Sequence, residues 1–445
     1  MIQRPLPIRC LTPRDRDERG NAWHYWVGYY DKQPWSRDGT RLLCHRATFA
    51  DRFPRAGEPC EIGVVDTTSG AFTTLATSRA WNWQQGAMAQ WIPDPNNPER
   101  ELILFNDLRD AQHAAIIIDA AGNEQRTLPA PVYAVSPDKR TTLTLSFARL
   151  NTCRPEYGVP GLVDPNASVI APENDGVWRM DLATGERAFL VSIADLAAHD
   201  PDERGTHRPN HVNHLMFNTS GTRFCMLHRF ERPDGITQSR LFTLNLDADT
   251  APRDLRLLMS GMVSHFDWRD DRTILAWAGH RKLLGAGGQS RSPVALAMNL
   301  ARRTLKPVYY ALGKPRVLMN KIVKDSYLLI PDTEHADTQR YAMGELICDG
   351  HCTYNRAGPF PGRFFVTDGY PDRGRQPLFI WDTKDNIGYT VGRYDSPKQF
   401  DGDIRVDLHP RFSHDAARVC VDSAMDGARK IYEVDVSSLT HAGAR

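Results

Sequence analysis

The stretch LHPRFSHDAARVCVDS (408–423) reads as a β-hairpin. Phe412 ends one strand. Ser413-His-Asp415 supplies short polar side chains that hydrogen-bond their own backbone and turn the chain, and ARVCVDS (417–423) returns as a second strand. Related units occur at Trp35-Ser-Arg-Asp-Gly39, Trp91-Ile-Pro-Asp94, Val135-Ser-Pro-Asp138, Phe217-Asn-Thr-Ser-Gly221, Trp268-Arg-Asp-Asp271 and Tyr354-Asn-Arg-Ala-Gly358. The seven copies lie 44 to 86 residues apart, and the longer gaps, 135–217 and 268–354, need extra loops or strands. ELILFND (101–107) and KIYEVDV (430–436) supply neighbouring strands. Such self-similarity, in a chain with little helical periodicity, predicts an all-β fold, a seven-bladed β-propeller. One short helix is expected over 191–198. No Pro/Gly/Ser-rich linker or charge run divides the chain, so 1–445 is expected to form a single domain.

Composition narrows the function classes. With 55 basic against 54 acidic residues, no general electrostatic grip on nucleic acid or an anionic membrane is expected. MIQRPLPIRCLTPRDRDERG (1–20) lacks the apolar run of a secretory leader, and no segment reads as a membrane span. Eight scattered cysteines without a C-x-x-C pair predict free thiols in a reducing compartment, so the expected location is cytoplasmic. There is no Gly-rich phosphate loop, nucleophile elbow or cysteine–histidine knuckle.

Aligning the units on their aromatic or Val position and stepping back three residues gives Lys32, Met88, Val132, His214, His265, His351 and His409. Equivalent positions on consecutive blades converge on the channel of a propeller. Four imidazoles there form a candidate set for a divalent metal, zinc or manganese rather than calcium. The plainer reading is packing, since His-Pro-x-Phe-Ser is a common inner-strand element. His211 and His228 flank the first of the four, Asp407 offers an oxygen ligand, and Cys225 and Cys352 read as packing residues.

At these residues the sequence resembles oligogalacturonate lyases and ulvan lyases, seven-bladed propellers that cleave uronate-containing sugars by β-elimination. SHFDWRDDRTILAW (264–277) and DIRVDLHPRFSHDAARVCVDS (403–423) are similar to the metal-ligand strands of oligogalacturonate lyase, which implies His265 and His409 as ligands. GHCTYNRAGPFPGRFFVTDGYPD (350–372) and HVNHLMFNTSGTRFCMLHRF (211–230) resemble adjoining blades. Asp407 stands where that family carries a further histidine. The first half resembles ulvan lyases, in which a Tyr and an Arg sixteen positions apart act beside two histidines. Tyr133 and Arg149 show that spacing, but Gln85 and Asn106 stand at the histidine positions, and neither is a general base.

The resemblance implies a uronate oligosaccharide or polysaccharide as partner. β-Elimination needs the carboxylate neutralised, a base for the adjacent proton, and an acid for the departing oxygen. Arg149 suits the first role, and Tyr133 suits base and acid if nearby cations lower its pKa. His211 is the spare base. Gln85, Asn106, Arg154 and Tyr157 are candidate substrate contacts. Structural roles stand beside these: Tyr133 as a packed aromatic, Arg149 paired with an acid such as Glu156. Two other functions fit the same pattern, a non-catalytic propeller that binds an acidic glycan or protein, and a propeller glycoside hydrolase.

Overall fold

In the computed structural model, which describes residues 1–110, 112–201, 206–233, 235, 237–246, 254–279, 325–341, 346 and 348–442, each hairpin unit opens a four-stranded antiparallel arrangement. The first comprises His24–Trp26, Arg41–Ala47, Cys60–Asp66 and Phe72–Ser78. The second runs from Gln90–Asp94 through Asn97–Arg109 and Gln112–Ile118 to Glu124–Leu128. The third joins Ala134–Val135, Thr141–Thr144, Gly176–Asp181 and Arg187–Ser192.

The fourth and fifth units form one seven-stranded sheet because they share Leu255–Asp270. That strand pairs with Thr237–Asn245 up to Gly261 and with Thr273–Gly279 from Met262 onward. His211–Phe217 starts the fourth unit, and Ser326–Pro331 continues the fifth. The sixth is built on Cys352–Tyr354, Phe364–Asp368, Arg375–Asp382 and Ile387–Asp395. In the seventh, Arg411–Phe412, Arg418–Ser423 and Lys430–Asp435 are completed by the N-terminal strand Ile8–Cys10.

Apolar residues fill the junctions between consecutive units. Trp26, Trp81, Trp83 and Ile103 lie between the first and second, and Val366, Leu378, Val421 and Val434 between the sixth and seventh. Leu42, Val65, Cys420 and Ile431 join the seventh unit to the first, where Val27 N–H also donates to Asp422 (3.1 Å). Sheets packed through both faces bury alternate residues on each side, which explains strands such as Arg223–Glu231 that are buried almost throughout.

The long gap after Val135 holds two helices. The first, α1, spans Phe147–Cys153 with Ser146 as N-cap. The second, α2, spans Ile193–Ala198 and begins in a capping box between Ser192 and Asp195. Two residues of the helix expected over 191–198 instead end the preceding strand. Arg149 lies in α1 and not on a strand returning from Tyr133, because the chain leaves the sheet after Thr144. Much of the gap between Trp268 and Tyr354, residues 280–324, lies outside the described residues. All eight cysteines are free thiols. Among the described residues no helix is long and apolar enough to cross a membrane.

Candidate metal centre and adjoining cleft

Three of the four slot histidines meet. The ring centroids of His265 and His351 are 3.9 Å apart, and those of His351 and His409 are 4.2 Å apart. Each ring is anchored through Nδ1. His265 bonds Asp349 (2.9 Å), His351 bonds Asp368 (3.0 Å), and His409 bonds the Gly28 carbonyl (2.8 Å). Such anchoring fixes the tautomer, so that Nε2 carries the free lone pair. The Nε2 atoms of His351 and His409 are buried without partners. Ligand atoms of His351, Asp407 and His409 all lie within 4.8 Å of one another. Orphaned imidazole nitrogens are costly in a protein interior. Two histidines and a carboxylate, with a third imidazole adjoining, suit a borderline divalent ion such as zinc or manganese.

Local backbone makes this possible. His214 and His409 have φ of +56° and +44°, and Met88 in the same slot has +57°. This left-handed step at the start of the inner strand is unfavourable for non-glycine residues and breaks the alternation of side chains. Gly28 at φ +118° turns its carbonyl onto His409. A Cβ there would lie 2.7 Å from the Gln85 carbonyl oxygen, so only glycine fits.

His214 is separated from the other three by Tyr29. The two rings stack at 5.0 Å, and Tyr29 also packs on His409 (5.1 Å) and His351 (5.9 Å). The His214 Nε2 lies 3.3 Å from the Tyr29 hydroxyl, and its backbone N–H donates to Tyr133 Oη (3.1 Å). Burial first, then neighbouring cationic groups, hold His214 and His409 well below the usual imidazole pKa. At Asp368 burial alone would raise the carboxyl, but His351 brings it below the ordinary value.

Beside the imidazoles opens a cleft of about 640 Å³, lined by Arg154, Glu156, His211, Arg229, Asp349 and Tyr370 among others. Asp349 therefore belongs to both features. Both ring nitrogens of His211 are buried without a hydrogen-bond partner, and burial, with Arg154 and Arg149, pushes its pKa down to about 3. Arg154 is held by Glu156 (2.8 Å) and lies over the Tyr157 ring. The Nε of buried Arg229 has no acceptor.

Among solved structures the chain is similar to an oligogalacturonate lyase in complex with manganese, at 15% identity, 98% coverage of each chain and a TM-score of 0.56. It is also similar to the oligogalacturonate lyase of Vibrio parahaemolyticus, at 12% identity, 97% coverage of each and a TM-score of 0.54. It shares the fold of the oligogalacturonate lyases. No family model and no curated protein sequence matches it.

Within that lyase fold the remaining candidates take different positions. His211 and Arg154 line the cleft, and Tyr157 packs edge-on to His214 and beneath Arg154. Tyr133 is buried deeper. Its hydroxyl accepts from Gln85 (2.6 Å) and from His214 N–H, and burial raises its pKa rather than lowering it. The cation expected to lower that pKa, Arg149, is committed elsewhere. It donates to the carbonyls of Asn166, Val169, Ile170 and Asn210 and pairs with Asp164 (3.3 Å), not with Glu156. Arg149, about 2% exposed, closes a loop through that network and has no fork left for a ligand carboxylate. Asn106 exchanges two hydrogen bonds with the backbone of Val132 (2.8 and 2.9 Å), stapling the second unit to the third.

Sequence reasoning missed Asp349, Asp368, Tyr29, Tyr370 and Arg229. Asp349 and Asp368 bracket His351 in DGHCTY and FFVTD, and a search for carboxylates near the aligned histidines would have found them. Arg229 carries no sequence signal, because its place depends on the pairing of His211 with Arg229 across two strands.

Proposed function

We propose that this chain is a single seven-bladed propeller that cleaves a uronate-containing oligosaccharide by β-elimination with a bound divalent metal. One observation carries the reading: three imidazoles, each with Nδ1 anchored, adjoin a cleft lined by two arginines that also holds an unpartnered histidine. His265, His351 and His409 are the proposed metal ligands, with Asp407 as an oxygen donor, and zinc or manganese fits that set. When bound, such an ion supplies Lewis-acid charge to a substrate carboxylate.

The chain's own residues supply the rest. Arg154 and Arg229 flank the cleft and neutralise the uronate carboxylate, which acidifies the neighbouring C–H. His211, neutral at physiological pH, takes that proton at a ring nitrogen. The incoming carboxylate offsets the Arg154 charge and favours the imidazolium, so the base strengthens when substrate is present. Tyr370 lines the same cleft, and burial keeps its phenol protonated, so it is the proposed donor to the departing glycosidic oxygen. Eight free thiols suit a reducing compartment and support cytoplasmic action on short oligosaccharides.

The test is a panel of uronate oligosaccharides incubated with protein and manganese or zinc. Ultraviolet absorbance of an unsaturated uronate, lost on chelation, is the expected result. New reducing ends without that absorbance would identify a hydrolase, and binding without cleavage a lectin-like role. Either would overturn the proposal.

A further inference from the structure

The inner strands continue past the histidine slots, and residues from all seven units line a second cavity of about 320 Å³. Tyr30 lies between this cavity and the metal centre. Its hydroxyl donates to the Phe266 carbonyl (2.9 Å), and its ring packs on His351 (5.3 Å) and His265 (6.0 Å). None of the residues lining the His211 cleft lines this one.

Its chemistry is unbalanced in a specific way. Lys32 is paired with Asp31 (2.6 Å) and Arg356 with Asp267, but two further cations line the same space. Arg411 is about 2% exposed. It spends Nε and Nη2 on the backbone carbonyls of Tyr29 and Gly28 and pairs through Nη2 with Asp422 (3.5 Å), while Nη1 is buried with no partner. Lys139 lies near Lys32, and burial first, then Lys32, lower its pKa. Lys139 brings a surplus charge to this space and Arg411 an unsatisfied buried N–H, and an anion there would meet both.

The turn fixes where Lys139 stands. It sits at φ +60°, at the turn position filled in other units by Gly39, Gly221 and Gly358 with φ of +69°, +75° and +90°. Ala416 of the seventh unit takes the same conformation at φ +58°, so the turn tolerates a side chain, and Lys139 places an ammonium group there at the cavity wall. Trp91, Phe217, Tyr354 and Phe412 give the cavity aromatic faces, and Gln33 and Gln90 add neutral hydrogen-bonding groups. Aromatic faces with amides and carboxylates suit a polyol, and the Lys139 charge with the unpartnered Nη1 of Arg411 suits an acid group.

We propose that this cavity is a second ligand site, for a small hydroxylated anion of the sugar acid or sugar phosphate class, with Lys139 and Arg411 binding its acidic group. The proposal does not depend on lyase activity.

Isothermal titration of the full-length chain with D-galacturonate, glucose 6-phosphate, inorganic phosphate and neutral galactose tests it. Saturable binding of galacturonate or glucose 6-phosphate is expected, with galactose and inorganic phosphate each at least about tenfold weaker. Lys139→Gly relieves the backbone strain and should melt no lower than the wild type, yet lose about tenfold or more in affinity, as for a lost charge-assisted hydrogen bond. Lys139→Asn, which also tolerates this conformation, is the second variant and should behave the same way. His211→Ala should leave binding within about twofold, because it alters only the other cleft. Absence of binding by either sugar anion, unchanged affinity in both Lys139 variants, or loss of binding in His211→Ala would overturn the proposal. Inorganic phosphate binding as tightly as the sugar anions would overturn the assignment to a hydroxylated ligand.

Discussion

Replacing Arg149 by Met should damage stability and not substrate affinity. The guanidinium and Asp164 are 2% and 1% exposed, so the substitution strands a carboxylate in the interior and deprives four carbonyls of their donor. Removing one partner of a buried pair costs about 3–5 kcal/mol. The freed carbonyls need not add the full cost of buried groups, because Val169 and Ile170 are partly exposed and water reaches that loop. With an unfolding entropy of about 2.1 cal/mol/K per residue, a chain of 445 residues shifts by only about 1 °C per kcal/mol, so a fall in Tm of about 3–5 °C is expected. Urea titration resolves the loss more clearly, as a lower midpoint at unchanged slope. Adding Asp164→Asn removes the stranded charge and should recover part of the loss, giving a coupling energy of more than about 1 kcal/mol in the double-mutant cycle. Uronate affinity, measured by titration on folded protein, should stay within about threefold. Unchanged midpoint and Tm with affinity reduced tenfold or more would refute the reasoning and return Arg149 to the substrate.

Tyr133→Phe leaves the Gln85 amide and the His214 N–H without their shared acceptor, so it should cost about 1–3 kcal/mol in urea unfolding while turnover, if present, stays within a few-fold. Asp349→Asn and Gly28→Ala should each lower metal content measured by elemental analysis, by about tenfold or more in affinity, because each disturbs the anchor of one imidazole. Acid should destabilise the fold early. Burial lowers His45 to about 4 and His211 to about 3, so their contribution is complete above about pH 6.5 and is lost as pH falls toward those values, by up to about 1.4 kcal/mol per pH unit for each. Asp175 and Asp422, raised to about 6 chiefly by burial, act in the opposite sense between about pH 6 and 4, so the urea midpoint should fall first between pH 6.5 and 6.

The repeated turn was legible in the chain because its physics is local. Asp and Ser side chains bond backbone only a few residues away, as Asp38 accepts from Thr40 N–H and Ser36 from Arg41 N–H, and the same residues recur wherever the same turn is made. The alignment of those turns also brought out the histidine column, and His265, His351 and His409 do converge. The sequence could not separate His214 from that group, because Tyr29 comes between them from the loop after His24–Trp26, 185 residues away. Nor could it tell that Arg149 leaves the sheet on α1, since a spacing of sixteen residues fits a hairpin or an excursion equally well. Burial reversed the expected shift at Tyr133, because desolvation depends on how seven units pack together and not on the neighbours in the chain. Local hydrogen bonding wrote the repeat into the sequence, while long-range packing alone decided which polar side chains were left unpartnered and which were spent holding the fold together.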